Sequence, residues 1–201
     1  MKYEVIDNYL DEEYFDSLVT FITDKEKKGN FIMPWFFNSG ITYHGAVEDK
    51  LFYMTHMLYD GNVPMSPFYD KLIPLLEKLE AKSLIRVKAN LYPNTEILHE
   101  HPMHSDYDFF HSGAILSLNT CDGYTKLKDG TKIDSVANRL LLHDPITEHC
   151  GTSTTNVAAR FNININYIPV RFHLMDGMMI NETLKAGKLE AGKLKAGNLK
   201  V

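Results

Sequence analysis

The chain has 201 residues, of which 44% are hydrophobic and 23% charged, a composition typical of one globular domain with a buried core. Its net charge of -5 and its pI of about 6.0 argue against nucleic acid or an anionic membrane surface as a partner. No apolar run approaches the roughly 18 residues that a membrane span needs, and the acidic N-terminus lacks the apolar core of a signal peptide.

Two helices are predicted within the first 82 residues. Asp11 is a predicted N-cap, and apolar residues at helical spacing predict the first helix over residues 12–28. Ser66-Pro67 predicts the start of the second helix, which Pro74 either kinks or begins. Strands are predicted beside these helices over residues 3–7, 31–43 and 51–59.

From residue 84 onward the pattern changes to short strands separated by turns. Turn signals such as Lys128-Asp129-Gly130 predict a hairpin, and His149-Cys150-Gly151 is predicted to lie in or just after a turn. Strands are predicted over residues 84–92, 112–119, 124–127, 131–136, 139–143 and 160–167. Two helices followed by about eight strands predict a mainly β fold, a sandwich or jelly-roll barrel buttressed by N-terminal helices.

Two of the predicted strands combine an apolar face with a polar one. The polar face of residues 160–167 consists of Arg160, Asn162, Asn164 and Asn166. The polar face of residues 84–92 consists of Arg86, Lys88, Asn90 and Tyr92. A solvated strand usually carries charges and threonine, whereas three asparagines behind an arginine are typical of the lining of a polar cavity. We therefore expect both strands to line the interior of a small ligand-holding barrel.

A candidate metal site follows the strand that is predicted over residues 84–92. In His104-Ser105-Asp106 the histidine and the aspartate are two residues apart, so on extended backbone both side chains point the same way. His149, 43 residues after Asp106, is the predicted third ligand. Two histidines and one carboxylate on one face of a metal leave three positions open, the facial triad of non-haem Fe(II) oxygenases.

Arg160 is the candidate partner for an anionic co-substrate. A 2-oxo acid chelates a metal through its keto oxygen and carboxylate and leaves one position for O2. Its far carboxylate then requires a fixed cation, for which a planar guanidinium is suited. Tyr92 and Asn164 are predicted supporting donors, and Asn90 points the same way from the earlier strand.

Two other interpretations of the histidine-rich segment remain open. A cupin-type metal enzyme that does not use 2-oxoglutarate would bind metal through His99 and His101, a later carboxylate and His149. A binding module would keep the barrel without turnover. The other histidines are interpreted as hydrogen-bonded core or surface groups: His44, His56, His111, His143 and His173.

Several motifs within about residues 84–168 carry a resemblance to a known family. They are Asn90-Leu91-Tyr92-Pro93, His104-Ser105-Asp106, Leu118-Asn119-Thr120, Asp122-Gly123-Tyr124-Thr125, Asp129-Gly130-Thr131-Lys132-Ile133, Ser135-Val136-Ala137-Asn138-Arg139, His149 and Arg160-Phe161-Asn162-Ile163-Asn164. The chain resembles the Fe(II)/2-oxoglutarate-dependent oxygenases of the prolyl-4-hydroxylase-like branch. It is especially similar to the short versions carried by bacteriophages, including those of marine cyanobacteria.

The resemblance implies a double-stranded β-helix with Fe(II) on His104, Asp106 and His149. It implies that 2-oxoglutarate lies against Arg160 with help from Tyr92, and that O2 is consumed as succinate and CO2 form and a C–H bond is hydroxylated. Ascorbate is a further cofactor that we consider. The expected substrate is peptidyl, including prolyl, or a small amino-acid-like molecule, and the expected location is the cytoplasm, that of the host cell if the chain is phage-encoded.

The chain departs from the family pattern in the strand that follows His104-Ser105-Asp106. Prolyl hydroxylases often place a tyrosine near the middle of that strand, whereas this chain has Ser117 at about that place. The gap from His149 to Arg160 is also slightly longer than usual. We therefore expect Ser117 to replace the tyrosine among the contacts with the co-substrate.

The predicted domain organisation is a single oxygenase domain followed by a tail. The domain covers residues 1–175, with a helical buttress over 1–82 and the barrel over 83–170. Residues 176–201 contain short Leu-Lys-Ala-Gly-type repeats, too few to bury a core, and are predicted to be a weakly structured tail. The two cysteines, Cys121 and Cys150, predict no disulfide framework and so favour a reducing compartment.

Overall fold

Two β-sheets face each other, and two helices cover the outer face of the larger sheet. The computed structural model describes residues 3–23, 33–40 and 51–170. The elements follow the order β1 (Tyr3–Ile6), α1 (Glu12–Thr23), β2 (Phe36–Asn38), β3 (Tyr53–Asp60), β4 (Val63–Pro64), α2 (Ile73–Lys78), β5 (Ala81–Pro93), β6 (Ser112–Ser117), β7 (Tyr124–Leu127), β8 (Lys132–Asp134), β9 (Arg139–His143), β10 (His149–Gly151) and β11 (Ala159–Pro169). A 3₁₀ turn, Tyr69–Leu72, leads directly into α2.

The larger sheet has the strand order β1-β9-β6-β11-β5-β3-β2, with β4 paired to β3, and the smaller sheet has the order β10-β7-β8. Neighbouring strands are antiparallel in both sheets. Strand β11 lies in the middle of the larger sheet, between β5 and β6. This architecture confirms the predicted fold class, a double-stranded β-helix or jelly-roll barrel buttressed by helices.

The main hydrophobic core lies between the larger sheet and the helices. Leu18 and Ile22 of α1 and Leu75 of α2 are buried there against Ile163 and Ile165 of β11. Burial of each such side chain stabilises the fold by about 1.5–3 kcal/mol relative to exposure. A smaller apolar cluster lies between the two sheets and consists of Ile115, Leu127, Ile133 and Leu141. The alternation along β11 therefore sends its apolar residues to the helices and its polar residues toward the smaller sheet.

Local signals placed most element starts correctly. The Tyr14 backbone N–H donates to Asp11 Oδ1 (2.9 Å), which confirms the predicted cap of the first helix. Pro74 lies in the first turn of α2, so it begins this helix and does not kink it. The sequence Asp60-Gly61-Asn62 is a turn signal after the strand predicted over residues 51–59, and Gly61 and Asn62 have the φ angles of 56° and 66° that a tight turn requires.

Other predictions differ from the structure or lie outside its described part. His149–Gly151 comes just after a turn at residues 145–146, as predicted, but it also forms a strand, β10, which pairs with β7 and was not predicted. The N-terminal 82 residues contribute strands to the larger sheet as well as both helices. The end of the first predicted helix (24–28), His44, His173 and the predicted tail (176–201) lie outside the described residues. Within the described ranges, no helix has the length and apolar character that crossing a bilayer requires.

Candidate functional site

The predicted metal ligands meet at the edge of the smaller sheet. The backbone around His104 runs antiparallel to β10, because the His104 N–H donates to the His149 carbonyl (2.9 Å) and the His149 N–H to the His104 carbonyl (2.8 Å). Asp106, two residues on, is turned to the same side. One ligand atom each of His104, Asp106 and His149 lies within 4.8 Å of the others. The centroids of the His104 and His149 imidazole rings are 4.8 Å apart.

The imidazole rings are oriented by backbone carbonyls. His104 Nδ1 lies 3.2 Å from the Pro102 carbonyl oxygen, and His149 Nδ1 lies 3.2 Å from the Thr147 carbonyl oxygen. Because a carbonyl oxygen only accepts hydrogen bonds, these contacts favour the proton on Nδ1 and leave the Nε2 lone pair available for a metal. Burial, followed by the nearby His149, lowers the pKa of His104, which favours the neutral ring that a metal requires.

Asp106 is held as a carboxylate by two neighbours on the larger sheet. Arg86 Nη2 donates to Asp106 Oδ1 (2.9 Å), and Asn166 Nδ2 donates to Oδ2 (2.8 Å). The side chain of Asp106 is only 4% exposed, and this burial opposes ionisation. The opposing effect of Arg86, together with His149 and the Asn166 hydrogen bond, nevertheless holds the pKa of Asp106 well below its usual range. The carboxylate is thus ionised and fixed before any metal arrives.

Arg160 is a buried cation without an anionic partner among the described residues. It is 1% exposed, and its Nη2 donates to Thr125 Oγ1 (3.0 Å) while Nη1 donates to the Thr152 carbonyl (3.3 Å). The Nε atom of Arg160 has no hydrogen-bond partner among the residues that the structure describes. Burial lowers the pKa of Arg160, but a guanidinium in a protein remains charged. A buried charge of this kind requires an anion, so the surroundings of Arg160 suit a carboxylate ligand.

A row of paired polar residues on β5 and β11, here called the polar ladder, extends from Arg160 toward the metal ligands. Its four rungs are the paired residues Arg160 and Tyr92, Asn162 and Asn90, Asn164 and Lys88, and Asn166 and Arg86. Asn90 Nδ2 donates to Asn162 Oδ1 (2.8 Å), but Asn90 Oδ1 and Asn164 Oδ1 are buried without a partner among the described residues. Free polar atoms of this kind, directed into a cavity, suit a polar ligand.

Tyr92 and Ser117 are both near the ladder but have different surroundings. The Tyr92 ring stacks on Tyr53 (5.6 Å between centroids) and lies 5.6 Å from the Arg160 guanidinium carbon. Burial raises the pKa of Tyr92, so its hydroxyl stays protonated and can donate to a ligand. Ser117 is buried and pairs with Asn162 between β6 and β11. The hydroxyl group that accepts a hydrogen bond from Arg160 is that of Thr125 and not that of Ser117.

Two histidines of the cupin interpretation, His99 and His101, are not grouped with the metal ligands His104, Asp106 and His149 among the described residues. His101 is buried against the Tyr92 ring (5.0 Å between centroids), and His99 is exposed. Within the described residues, the grouped ligand atoms are those of His104, Asp106 and His149.

Sequence reasoning missed several residues that shape the site. Arg86 and Asn166 were placed on polar strand faces, but alternation gives a direction and not a distance, so their contact with Asp106 was not predicted. Thr125 lies on the smaller sheet and belongs to one of the motifs of the family resemblance, but it was not assigned a role in the site. His143 was interpreted as a hydrogen-bonded group, yet both its ring nitrogens are buried without a partner among the described residues, and its ring lies 4.7 Å from that of His149.

Comparison with known proteins identifies the fold. No protein-family model matches the chain, and no curated protein matches it in sequence. A prolyl-4-hydroxylase from Pseudomonas putida superposes with a TM-score of 0.52 at 14% identity, over 83% of this chain and 92% of that one. A prolyl hydroxylase from Trichoplax adhaerens, in complex with a hypoxia inducible factor peptide fragment, gives 0.55 at 14% identity over 83% of each chain.

A third solved structure has the same architecture. An oxidoreductase of the 2OG-Fe(II) oxygenase family from Burkholderia pseudomallei gives a TM-score of 0.58 at 11% identity, over 83% of this chain and 84% of that one. The chain therefore has the fold of the prolyl-4-hydroxylase-like 2-oxoglutarate oxygenases. The resemblance to bacteriophage versions stays a prediction.

Proposed function

We propose that this chain is an Fe(II)- and 2-oxoglutarate-dependent dioxygenase that hydroxylates a peptidyl or small amino-acid-like substrate. The observation that carries the proposal is the combination of two sites in one cavity. His104, Asp106 and His149 bring three metal-ligating atoms within 4.8 Å of one another. The fully buried Arg160 lines the same cavity and lacks an anion among the described residues.

The donor set is suited to Fe(II). Two neutral imidazoles and one carboxylate match the facial triad and leave coordination positions open for further ligands. Arg86 and Asn166 fix the Asp106 carboxylate, and the carbonyls of Pro102 and Thr147 fix the two rings. These contacts hold the three ligands in place in advance, which lowers the cost of organising them when the metal binds.

The surroundings of Arg160 are suited to the far carboxylate of 2-oxoglutarate. The guanidinium offers charged donors at the buried end of the polar ladder, and the Thr125 hydroxyl and the Tyr92 ring surround it. Together Fe(II), 2-oxoglutarate and O2 would supply an oxidative decarboxylation in which one oxygen atom enters succinate, CO2 leaves and the other oxygen atom enters a C–H bond. The buried polar face would exclude bulk water from that chemistry.

A direct test measures succinate release and O2 uptake by the full chain with Fe(II) and 2-oxoglutarate. Metal and co-substrate binding are measured separately by titrating Mn(II) and then 2-oxoglutarate without O2. We expect His104→Ala to lose Mn(II) binding and His101→Ala to retain it. The reverse result would favour the cupin interpretation. Wild-type protein that binds metal but no 2-oxoglutarate would overturn the oxygenase proposal and leave a cupin-type enzyme or a non-catalytic binding module.

The Arg160→Met variant tests the anion site separately from the metal. Loss of charge-assisted hydrogen bonds should raise the Kd for 2-oxoglutarate by about 10- to 100-fold while Mn(II) binding persists. Unchanged 2-oxoglutarate binding would exclude Arg160 from this role.

A further inference from the structure

Lys88 is a second cation of the polar ladder that the proposed function does not use. It lies on β5 between Arg86 and Asn90, and its side chain shares their inward face. Its register partners are Asn164 on β11 and Met57 on β3. Lys88 is therefore a partly buried residue on the same face of the sheet, one rung away from the pair that holds Asp106.

The structure provides Lys88 with a weak partner only. Its Nζ lies 5.4 Å from the centroid of the Tyr53 ring, a cation–π contact. Among the described residues, Lys88 forms no ion pair, because the nearby carboxylate of Asp106 is bound to Arg86. Burial, followed by the repulsion of Arg86, lowers the pKa of Lys88 to about 8. A partly buried ammonium that has no ion pair among the described residues is available to an anionic ligand.

The charge of the cavity indicates the sign of that ligand. The ladder has three cations, Arg86, Lys88 and Arg160, and Asp106 offsets only one of them. Fe(II) and the dianion 2-oxoglutarate cancel each other, so they leave the cavity with an excess of positive charge. A neutral substrate would leave this excess buried, whereas an anion would offset it.

We propose that Lys88 binds a carboxylate of the primary substrate, which makes the substrate a small organic acid of net negative charge, such as a dicarboxylic acid or an acidic amino acid, and not the internal proline of a peptide. This inference rests on the proposed oxygenase function. Within it, Arg160 binds the co-substrate and Lys88 selects the molecule to be hydroxylated.

The test compares acids with their primary amides as substrates of the full chain. The probes are the proteinogenic L-amino acids and short mono- and dicarboxylic acids, each beside its amide, and a proline-containing peptide blocked at both ends. Stimulation of succinate release over the level without substrate is measured for wild type and for Lys88→Met and Lys88→Arg. Lys82→Met, at an exposed position of the same strand, is the matched control.

We expect at least one acid to stimulate turnover about tenfold or more above its amide, a difference of about 1.4 kcal/mol, because the amide loses the charge-assisted contact with Lys88. Lys88→Met should lose this preference, Lys88→Arg should keep part of it, and Lys82→Met should match wild type. The Kd of Lys88→Met for 2-oxoglutarate, titrated with Mn(II) in the absence of O2, should stay within about threefold of the wild-type value, a difference below about 0.7 kcal/mol.

Several outcomes overturn this inference and spare the oxygenase proposal. They are stimulation by acid and amide alike or by neither, stimulation by the blocked peptide alone, and an acid preference that survives Lys88→Met. A rise in the 2-oxoglutarate Kd of Lys88→Met comparable to that of Arg160→Met would assign Lys88 to the co-substrate. Failure of the oxygenase proposal has a different signature, since wild type would then neither bind 2-oxoglutarate nor release succinate.

Discussion

The two faces of β11 consist of alternate residues of one strand, yet their surroundings are opposite. On the helix side, Ile163 and Ile165 are completely buried in the apolar core. On the side toward the smaller sheet, Asn164 Oδ1 and Arg160 Nε are buried without a hydrogen-bond partner among the described residues. Apolar burial stabilises the fold by about 1.5–3 kcal/mol per side chain, whereas an unsatisfied buried polar group costs about 1–3 kcal/mol.

This difference separates the part of the sheet that stabilises the fold from the part that binds ligands. The polar face contains groups that a sequence selected for stability alone would replace by apolar ones. The apolar face supplies the free energy that keeps them in position. Substitutions on the helix side should therefore change the free energy of unfolding, and substitutions on the polar side should change ligand binding, except where a charge loses its partner.

The largest effect on stability is expected from Ile163→Ala. Removal of these buried carbons should leave a cavity and lower the free energy of unfolding by about 3–4 kcal/mol, as measured by urea denaturation. Ile163→Val, which removes a single methyl group, should cost about 1 kcal/mol. The fraction of Ile163→Ala that remains folded should bind 2-oxoglutarate with wild-type affinity. A cost below about 1 kcal/mol, or weaker binding by folded protein, would break the separation between the two faces.

Arg86→Met tests the exception on the polar face. Loss of Arg86 leaves the buried Asp106 carboxylate with Asn166 as its remaining donor, so the metal-free protein should lose about 2–3 kcal/mol in the free energy of unfolding. Added Mn(II) should narrow the gap in melting temperature to wild type, because the metal then offsets the carboxylate charge. Arg139→Met is the control, since its partner Asp7 is exposed and its effect should be much smaller. Equal losses in the free energy of unfolding for both variants would mean that the buried Arg86–Asp106 pair contributes no more stability than the exposed Arg139–Asp7 pair.

Periodicity predicted these two faces because alternation in β11 and β5 is regular and long. The same method failed for β10, since a three-residue strand is too short to show a period and its pairing depends on β7 and His104. The spacing of His104 and Asp106 gave their common direction, and the position of His149, 43 residues after Asp106, made it the predicted third ligand before the family resemblance was considered.

Contacts between distant residues were beyond sequence reasoning. Arg86 reaches Asp106 across 20 residues and Asn166 reaches it across 60, and which polar side chains meet is decided by the register of β5 and β11. The contact of Arg160 with Thr125 joins the two sheets and depends on their packing. The alternation of residues along a strand predicts which side chains share a face of the sheet. The packing of the sheets determines which of those side chains form hydrogen bonds with each other.

A smaller, pH-dependent effect is expected from His101, which is buried on the polar side against Tyr92. Burial, followed by the charge of Arg160, lowers the pKa of His101 to about 3. The stability contributed by the neutral ring is complete above its ordinary pKa of about 6.5 and is lost as the pH falls toward 3. Between pH 7 and pH 5, this group should lower the free energy of unfolding of the metal-free protein by about 1–2 kcal/mol.

His101→Gln removes this titration, so its urea midpoint should fall less between pH 7 and pH 5 than that of wild type. His99→Gln, at an exposed position two residues earlier, should retain the wild-type difference. If His101→Gln and His99→Gln show the same pH dependence, the buried ring does not control acid stability.

Asn164→Leu should have the smallest effect on the free energy of unfolding, whereas a substitution of its neighbour Ile163 should have the largest. This pair of adjacent residues therefore gives the most direct comparison of the two faces of β11. The variant exchanges an amide whose buried Oδ1 lacks a partner among the described residues for an apolar group of similar size. Its free energy of unfolding should stay within about 1 kcal/mol of wild type or rise, since Asn164 Oδ1 forms no hydrogen bond within the described part of the chain. Titration with 2-oxoglutarate in the presence of Mn(II) should instead show weaker binding, because a polar side chain that lines the cavity together with Arg160 is gone. Destabilisation comparable to that of Ile163→Ala would mean that the polar face supports the fold as much as the apolar face does.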